Sequence, residues 1–115
     1  MELVAVIKAL ADDTRIRILN LLQESELCVG EIERLLNLSQ SNVSRHLARL
    51  KSANVIICEK RGQRVHYRLN KGVFKKYPFI QQIIDAELNK IEQCIGDIKK
   101  LREYQQEGSL ICSSI

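Results

Sequence analysis

Apolar residues recur every three or four positions through the first fifty residues, which is the period of an amphipathic helix. The pattern predicts three successive helices over residues 1–11, 14–23 and 30–36. Arg15 and Arg17 are then expected on the outer face of the second helix. The inward positions of the first two helices are Leu3, Val6, Ile7, Leu10, Ile18, Leu19 and Leu22.

A fourth helix is predicted directly after the three-residue turn 37–39. Ser39 can cap it by accepting from backbone N–H groups of the first turn. Two short helices joined by so tight a turn form a helix-turn-helix. On the fourth helix Val43, Leu47 and Leu50 share the inward face, so the opposite arc carries short polar and cationic side chains that can reach base edges and phosphates. That arc consists of Ser41, Asn42, Arg45, Ala48 and Arg49.

Beyond Asn54 the hydrophobic period changes from 3.6 to two residues. The runs 55–59 and 65–69 are rich in β-formers, and the segment between them, with Gly62 at its tip, predicts a hairpin. An isolated hairpin is marginal in water, so it must pack on the helices. A basic hairpin behind a helix-turn-helix is a wing, which reaches backbone phosphate or the minor groove; the alternative is a solvated basic turn. Its tip cations are Lys60, Arg61 and Arg64.

Pro78 suits the first turn of a last helix, predicted over about 79–107. Its apolar positions form a narrow seam of the coiled-coil kind, too long for this small domain to cover, so a second copy of the chain is the expected partner. The seam is Ile84, Leu88, Ile91, Ile95 and Ile98. The fold class is therefore mainly α with a small β-hairpin: one domain over 1–107, a homodimer through its first and last helices, and a flexible tail over 108–115.

Charge supports a polyanionic partner. Of the 115 residues, 18 are Lys or Arg and 14 are Asp or Glu, but residues 40–76 hold ten basic residues and one acid, Glu59.

No run of apolar residues is as long as a signal peptide or a membrane span requires, so a cytoplasmic protein that makes no membrane contact is expected. No Ser-His-Asp, Cys-His or paired-carboxylate arrangement occurs at a recognisable spacing, so an enzyme is not expected. Because the chain shows no secretory signal, its four cysteines are expected to be free thiols, metal ligands or redox groups rather than disulfides.

The chain from about Leu3 to Leu69 resembles the ArsR (ArsR/SmtB) family of winged-helix repressors. The matching segments are ALADDTRIRIL (9–19), ELCVGEI (26–32), LSQSNVSRHL (38–47) and YRL (67–69). The resemblance implies a homodimer that binds an inverted-repeat operator on double-stranded DNA and releases it when an inducer binds, most often a soft or borderline metal ion. It places Ser41, Asn42, Ser44, Arg45 and His46 at the major groove.

Gln40 and Arg49 on the same helix complete the predicted contacts, with the three wing cations. His46 lies about 60° from the apolar centre of its helix, so a half-buried structural role is the equal alternative to a DNA contact.

The expected sensor is a set of thiolates. Arsenic, lead and cadmium sensors of the family have ELCVC at this segment, whereas Gly30 here replaces the second cysteine. Cys28, Cys94 and Cys112 are the candidate ligands, with arsenite the favoured inducer and no resident cofactor required. The zinc-type site of the family is not expected, because no histidine follows His66.

Two other functions remain open. A thiol redox or persulfide switch would use Cys28 with Cys94 or Cys112. A protein-interaction module would instead dock its cationic face on an acidic partner.

Overall fold

The computed structural model describes residues 1–108. Seven α-helices and three strands follow one another, with a π turn and a 3₁₀ turn before the last helix. In chain order they are α1 (Glu2–Leu10), α2 (Asp13–Glu24), β1 (Leu27–Cys28), α3 (Val29–Leu36), α4 (Gln40–Ser52), β2 (Ile56–Arg61), β3 (Arg64–Leu69), α5 (Lys71–Lys76), α6 (Pro78–Gln82), the π turn (Ile83–Glu87), the 3₁₀ turn (Leu88–Lys90) and α7 (Glu92–Gln106).

Helices α3 and α4 form the predicted helix-turn-helix. Asn37 ends α3 in the left-handed conformation (φ 56°), which asparagine tolerates better than most residues. Ser39 then caps α4, its hydroxyl accepting from the backbone N–H of Asn42 at 3.2 Å. Val43, Leu47 and Leu50 are buried, so α4 presents its other face outward.

The wing is a three-stranded antiparallel sheet in the order β1-β3-β2. Strands β2 and β3 form the predicted hairpin around Gly62, whose positive φ of 62° suits a tight turn. Strand β1 is too short for periodicity to predict, yet Leu27 pairs with Tyr67 of β3. The segment that carries Cys28 is therefore part of the same sheet as the wing.

The prediction of one continuous helix over about 79–107 is wrong. The π and 3₁₀ turns and the extended backbone of Ile91 (φ −94°, ψ 116°) interrupt it. On an unbroken helix Cys94 would lie about 120° around the axis from Leu88, but both are buried. The break turns α7 so that both faces meet the core, and it leaves the seam residues Ile91 and Ile95 exposed by 42% and 52%.

Helix α7 is anchored to α2 by a bidentate ion pair. Arg17 donates from Nε and Nη2 to Asp97 at 2.7 and 3.0 Å, and Asn20 donates to the backbone carbonyl of Cys94 at 2.9 Å. The hydrogen bond to Asp97 raises the pKa of Arg17. The prediction that Arg17 lies on an outer face is therefore wrong.

Arg15 also turns inward, contrary to prediction, and joins three helices. It donates from Nε to the carbonyl of Ala9 (2.7 Å) and from Nη2 to that of Lys8 (3.2 Å), both in the last turn of α1. Its Nη1 lies 3.2 Å from Nδ1 of His46 on α4. A guanidinium only donates, so this contact places the proton of a neutral His46 on Nε2.

His46 is buried, with 8% of its surface exposed. Burial lowers its pKa, and the charges of Arg15, Arg45 and Arg49 lower it further, against the opposing effect of Asp12. Of the two roles open for His46 on sequence grounds, burial favours the structural one.

Replacing Asp97 by Ala should lower the free energy of unfolding by about 3–5 kcal/mol, because it leaves a guanidinium buried without its counter-charge. Urea denaturation measures the effect, with E103A on the exposed face of α7 as the matched control, expected within about 0.5 kcal/mol of the parent. A loss in D97A no larger than in E103A would contradict the anchoring role of this ion pair.

The free energy of unfolding should fall as the pH drops below about 6.5. In that range the unfolded chain protonates this histidine at its ordinary pKa while folded His46 resists protonation, so acid favours the unfolded state; above it both states are neutral and the effect is constant. Urea melts between about pH 5 and 8 should show a flatter dependence for H46Q than for the parent. H66Q, which removes the other histidine, serves as the control, and an H46Q slope equal to the parent's would refute the assignment.

Candidate nucleic-acid interface

The outward face of α4 is polar and cationic. Its exposed residues are Gln40, Ser41, Ser44, Arg45, Ala48 and Arg49, and Asn42 is half-buried beside them. The first turn of α4 holds no acidic residue. Its free backbone N–H groups and the positive end of the helix dipole are therefore open to an anion such as a phosphate.

Arg45 and Asn42 are held together as one hydrogen-bonding unit. Nη2 of Arg45 donates to Oδ1 of Asn42 at 3.0 Å, which uses one of the five donors of a guanidinium. Arginine can bond guanine at O6 and N7, and asparagine can bond adenine at N6 and N7. The pair has the chemistry needed to discriminate between base pairs in the major groove.

The wing cations differ in how far their charges are balanced. Arg61 pairs with Glu59 (3.3 Å) and Glu26 (3.0 Å), and Arg68 pairs with Glu59 (3.1 Å). The hydrogen bond from Arg61, with its charge, lowers the pKa of Glu59. Arg61 thus lies between two carboxylates. Glu59 is close to it in sequence, but Glu26 is not, and no local pattern indicates that second contact.

Lys60 and Arg64 differ from Arg61 in their exposure and in their polar contacts. Lys60 is exposed and pairs with no carboxylate of residues 1–108. Arg64 is half-buried, and within the same part of the chain its Nε is buried without a hydrogen-bond partner. Lys60 is therefore the wing cation best placed to meet a phosphate.

The contact of Arg61 with Glu26 joins the wing to the residue just before β1. Glu26 is 35 positions away in sequence, but the adjacent Leu27 pairs with Tyr67 of β3. The alternation of residues 55–69 predicts the hairpin alone and gives no signal for this third strand.

The candidate ligand cysteines are held in separate settings. Cys28 is buried at the start of α3, and its sulfur is in a disulfide bond. Cys94 is a buried free thiol facing α2, and burial, with Asp97 nearby, raises its pKa. Cys112 lies outside the described residues. Over residues 1–108 the structure forms no cluster of three His, Cys, Asp or Glu side chains able to hold a metal ion.

One contact near Cys28 is not foreseen by sequence reasoning. Glu31 accepts from the backbone N–H of Cys28 at 3.0 Å, and its other carboxylate oxygen accepts from the hydroxyl of Tyr104 on α7. The end of the last helix therefore contacts the start of α3, next to Cys28. Glu31 and Tyr104 are 73 positions apart in sequence, and no local motif signals their contact.

No helix within residues 1–108 is long and apolar enough to cross a membrane.

Residues 12–57 match the family model described as "Bacterial regulatory protein, arsR family". The solution structure of a homodimeric winged helix-turn-helix DNA-binding domain from Mycobacterium bovis superimposes with a TM-score of 0.64, at 28% identity, over 79% of this chain and 85% of that one. The predicted winged helix-turn-helix, mainly α with a small hairpin, is thus confirmed.

Two curated relatives come from Pseudomonas putida. The arsenic resistance transcriptional regulator ArsR1 is 44% identical over 75% of this chain, and the match spans 62% of that protein's length. The arsenic resistance transcriptional regulator ArsR2 is 34% identical over 96% of this chain and 93% of its own. Both are named as regulators of transcription, not as enzymes. The chain therefore belongs to the ArsR family of winged helix-turn-helix DNA-binding transcriptional regulators.

Proposed function

We propose that this chain is a homodimeric repressor that binds an inverted-repeat operator and releases it when arsenite binds its thiolates. The observation that carries the DNA-binding half of the proposal is the exposed, acid-free start of α4, where Arg45 and Asn42 form one hydrogen-bonding unit. In this proposal Gln40, Ser41, Asn42, Ser44, Arg45 and Arg49 meet the major groove, and Lys60, Arg61 and Arg64 meet the backbone or the minor groove.

In this proposal a second copy of the chain covers the exposed apolar residues of α1, of α7 and of the residue that precedes α7. These are Leu3, Val4, Ile7, Ile91 and Ile95, each between 39% and 52% exposed. Burial of apolar surface is the main driving force of such association. The homodimeric state named for the Mycobacterium bovis domain supports this assignment. Two-fold symmetry then sets the two α4 helices about 34 Å apart, one turn of DNA, and the repressor acts on double-stranded DNA in the cytoplasm.

The names of the two Pseudomonas relatives support an arsenic species as inducer. Once its disulfide is reduced to the thiol, Cys28 is the preferred first ligand, because its segment lies in the wing sheet and Glu31, which accepts from its backbone N–H, also contacts α7. Cys94 is the weaker ligand, since its raised pKa opposes the thiolate that an ion binds. Cys112 is the third.

A thiol redox switch is the second candidate. The disulfide at Cys28 is the observation that favours it.

R45A should lower affinity for the preferred duplex by about 1–3 kcal/mol and relax base preference. K60A should weaken binding on all sequences and reduce the salt slope by about two, one for each protomer. R61A should change the slope less than K60A, because Glu26 and Glu59 already balance its charge. Fluorescence anisotropy over a salt series measures both, using a duplex selected by the parent from a random pool.

The matched control is K99A on the exposed surface of α7, expected to bind as the parent does. Parental binding by R45A would contradict the recognition role of α4. If the parent selects no duplex at physiological salt, the protein-interaction module is favoured instead.

With Cys28 first reduced to the thiol by a phosphine and the reductant removed, arsenite should release the parent from its duplex and fail to release C28S. C58S, which removes the half-buried thiol of β2, should respond like the parent. The same titration with hydrogen peroxide separates the two signals. Release by peroxide but not by arsenite, abolished in C28S, would replace the arsenite proposal by the redox switch.

A further inference from the structure

Arg15 is placed where the first helix, the second helix and the recognition helix meet. Its side chain is only 11% exposed, and every nitrogen of its guanidinium faces a protein acceptor. Such an arginine has no unoccupied edge of its guanidinium with which to bond a phosphate. Its basic charge therefore does not make it a DNA contact, although it stands in a DNA-binding domain.

The atoms that accept hydrogen bonds from Arg15 lie on two different helices, α1 and α4. Two are the carbonyl oxygens of Lys8 and Ala9, in the last turn of α1; that of Lys8 also accepts from the backbone N–H of Ala11. The third is Nδ1 of His46, on the buried face of α4. One rigid planar group thus fixes the end of α1 relative to the middle of α4.

The opposite face of α1 is apolar and exposed. Val6, Ala9 and Leu10 are buried, whereas Leu3 and Ile7 are open to solvent by 39% and 48%. In the proposed dimer this open face meets the second copy. Arg15 then lies between the dimer contact of a protomer and its recognition helix.

We propose that Arg15 is a positioning residue: by tying α1 to α4 through His46, it sets the separation and angle of the two recognition helices and thereby the half-site spacing that the dimer prefers. This inference rests on the proposed function, since it needs a dimer that reads two half-sites. It assigns to Arg15 no contact with the nucleic acid.

Operator spacing is the readout that separates positioning from simple support of the fold. The duplex selected by the parent is remade with one or two central base pairs inserted or deleted, each step moving the half-sites by about 3.4 Å. A duplex that holds a single half-site is the third probe. Affinities are measured by fluorescence anisotropy over the same salt series.

R15Q should bind the preferred spacing about tenfold more weakly and lose much of its preference over neighbouring spacings. Its affinity for the single half-site and its salt slope should stay parental, because α4 and the wing are unchanged. R15K should behave like R15Q, since an ammonium cannot reach the three acceptors in the geometry of the fork. R45Q is the contrasting control: it should weaken the single half-site while keeping the spacing preference.

H46F keeps the bonds of Arg15 to α1 and removes its acceptor on α4, because a phenyl ring has no hydrogen-bonding atom. It should flatten the spacing preference even if R15Q folds poorly. Equal weakening of single and paired half-sites in R15Q, or a parental spacing preference in H46F, would overturn the positioning role. A parent that binds neither probe would instead refute the proposed function, so the two failures are distinguishable.

Discussion

The structure depends on the burial of α2. Ile18, Leu19, Asn20, Leu21 and Leu22 are all buried in succession, which no helix with a solvated face allows. Helices α1, α4 and α7 and the wing strand β3 pack around it. Because the middle of α2 is buried on every side, polar groups there need partners inside the protein.

That requirement explains the two arginines of α2. Arg17 is neutralised by Asp97 of α7, and Arg15 is satisfied by the carbonyl groups at the end of α1 and by His46 of α4. The contacts of Arg15 connect α1 to α4, and the ion pair of Arg17 connects α2 to α7. The contacts that satisfy these two charges therefore also fix how the helices around α2 are placed.

The break before α7 has a related cause. Ile84 and Leu88 fill the core from one side of the chain, whereas Cys94, Asp97 and Leu101 face it further along. A straight helix cannot direct both sets inward, so the chain bends through the π and 3₁₀ turns. The bend exposes Ile91 and Ile95, which the second copy covers in the proposed dimer.

The sequence by itself determined the local elements. Ser39, the spacing of Val43, Leu47 and Leu50, and the change of period around Gly62 predicted the helix-turn-helix, its outward face and the hairpin, because caps, periodicity and turns act between residues that are close in sequence. Only the tertiary structure decided where Arg15, Arg17 and His46 point, which acids hold Arg61, and where the last helix breaks. Decisive partners are distant in sequence: His46 is 31 positions from Arg15, and Asp97 is 80 positions from Arg17. A periodic pattern carries no information about which distant group will supply a buried charge with its counterpart.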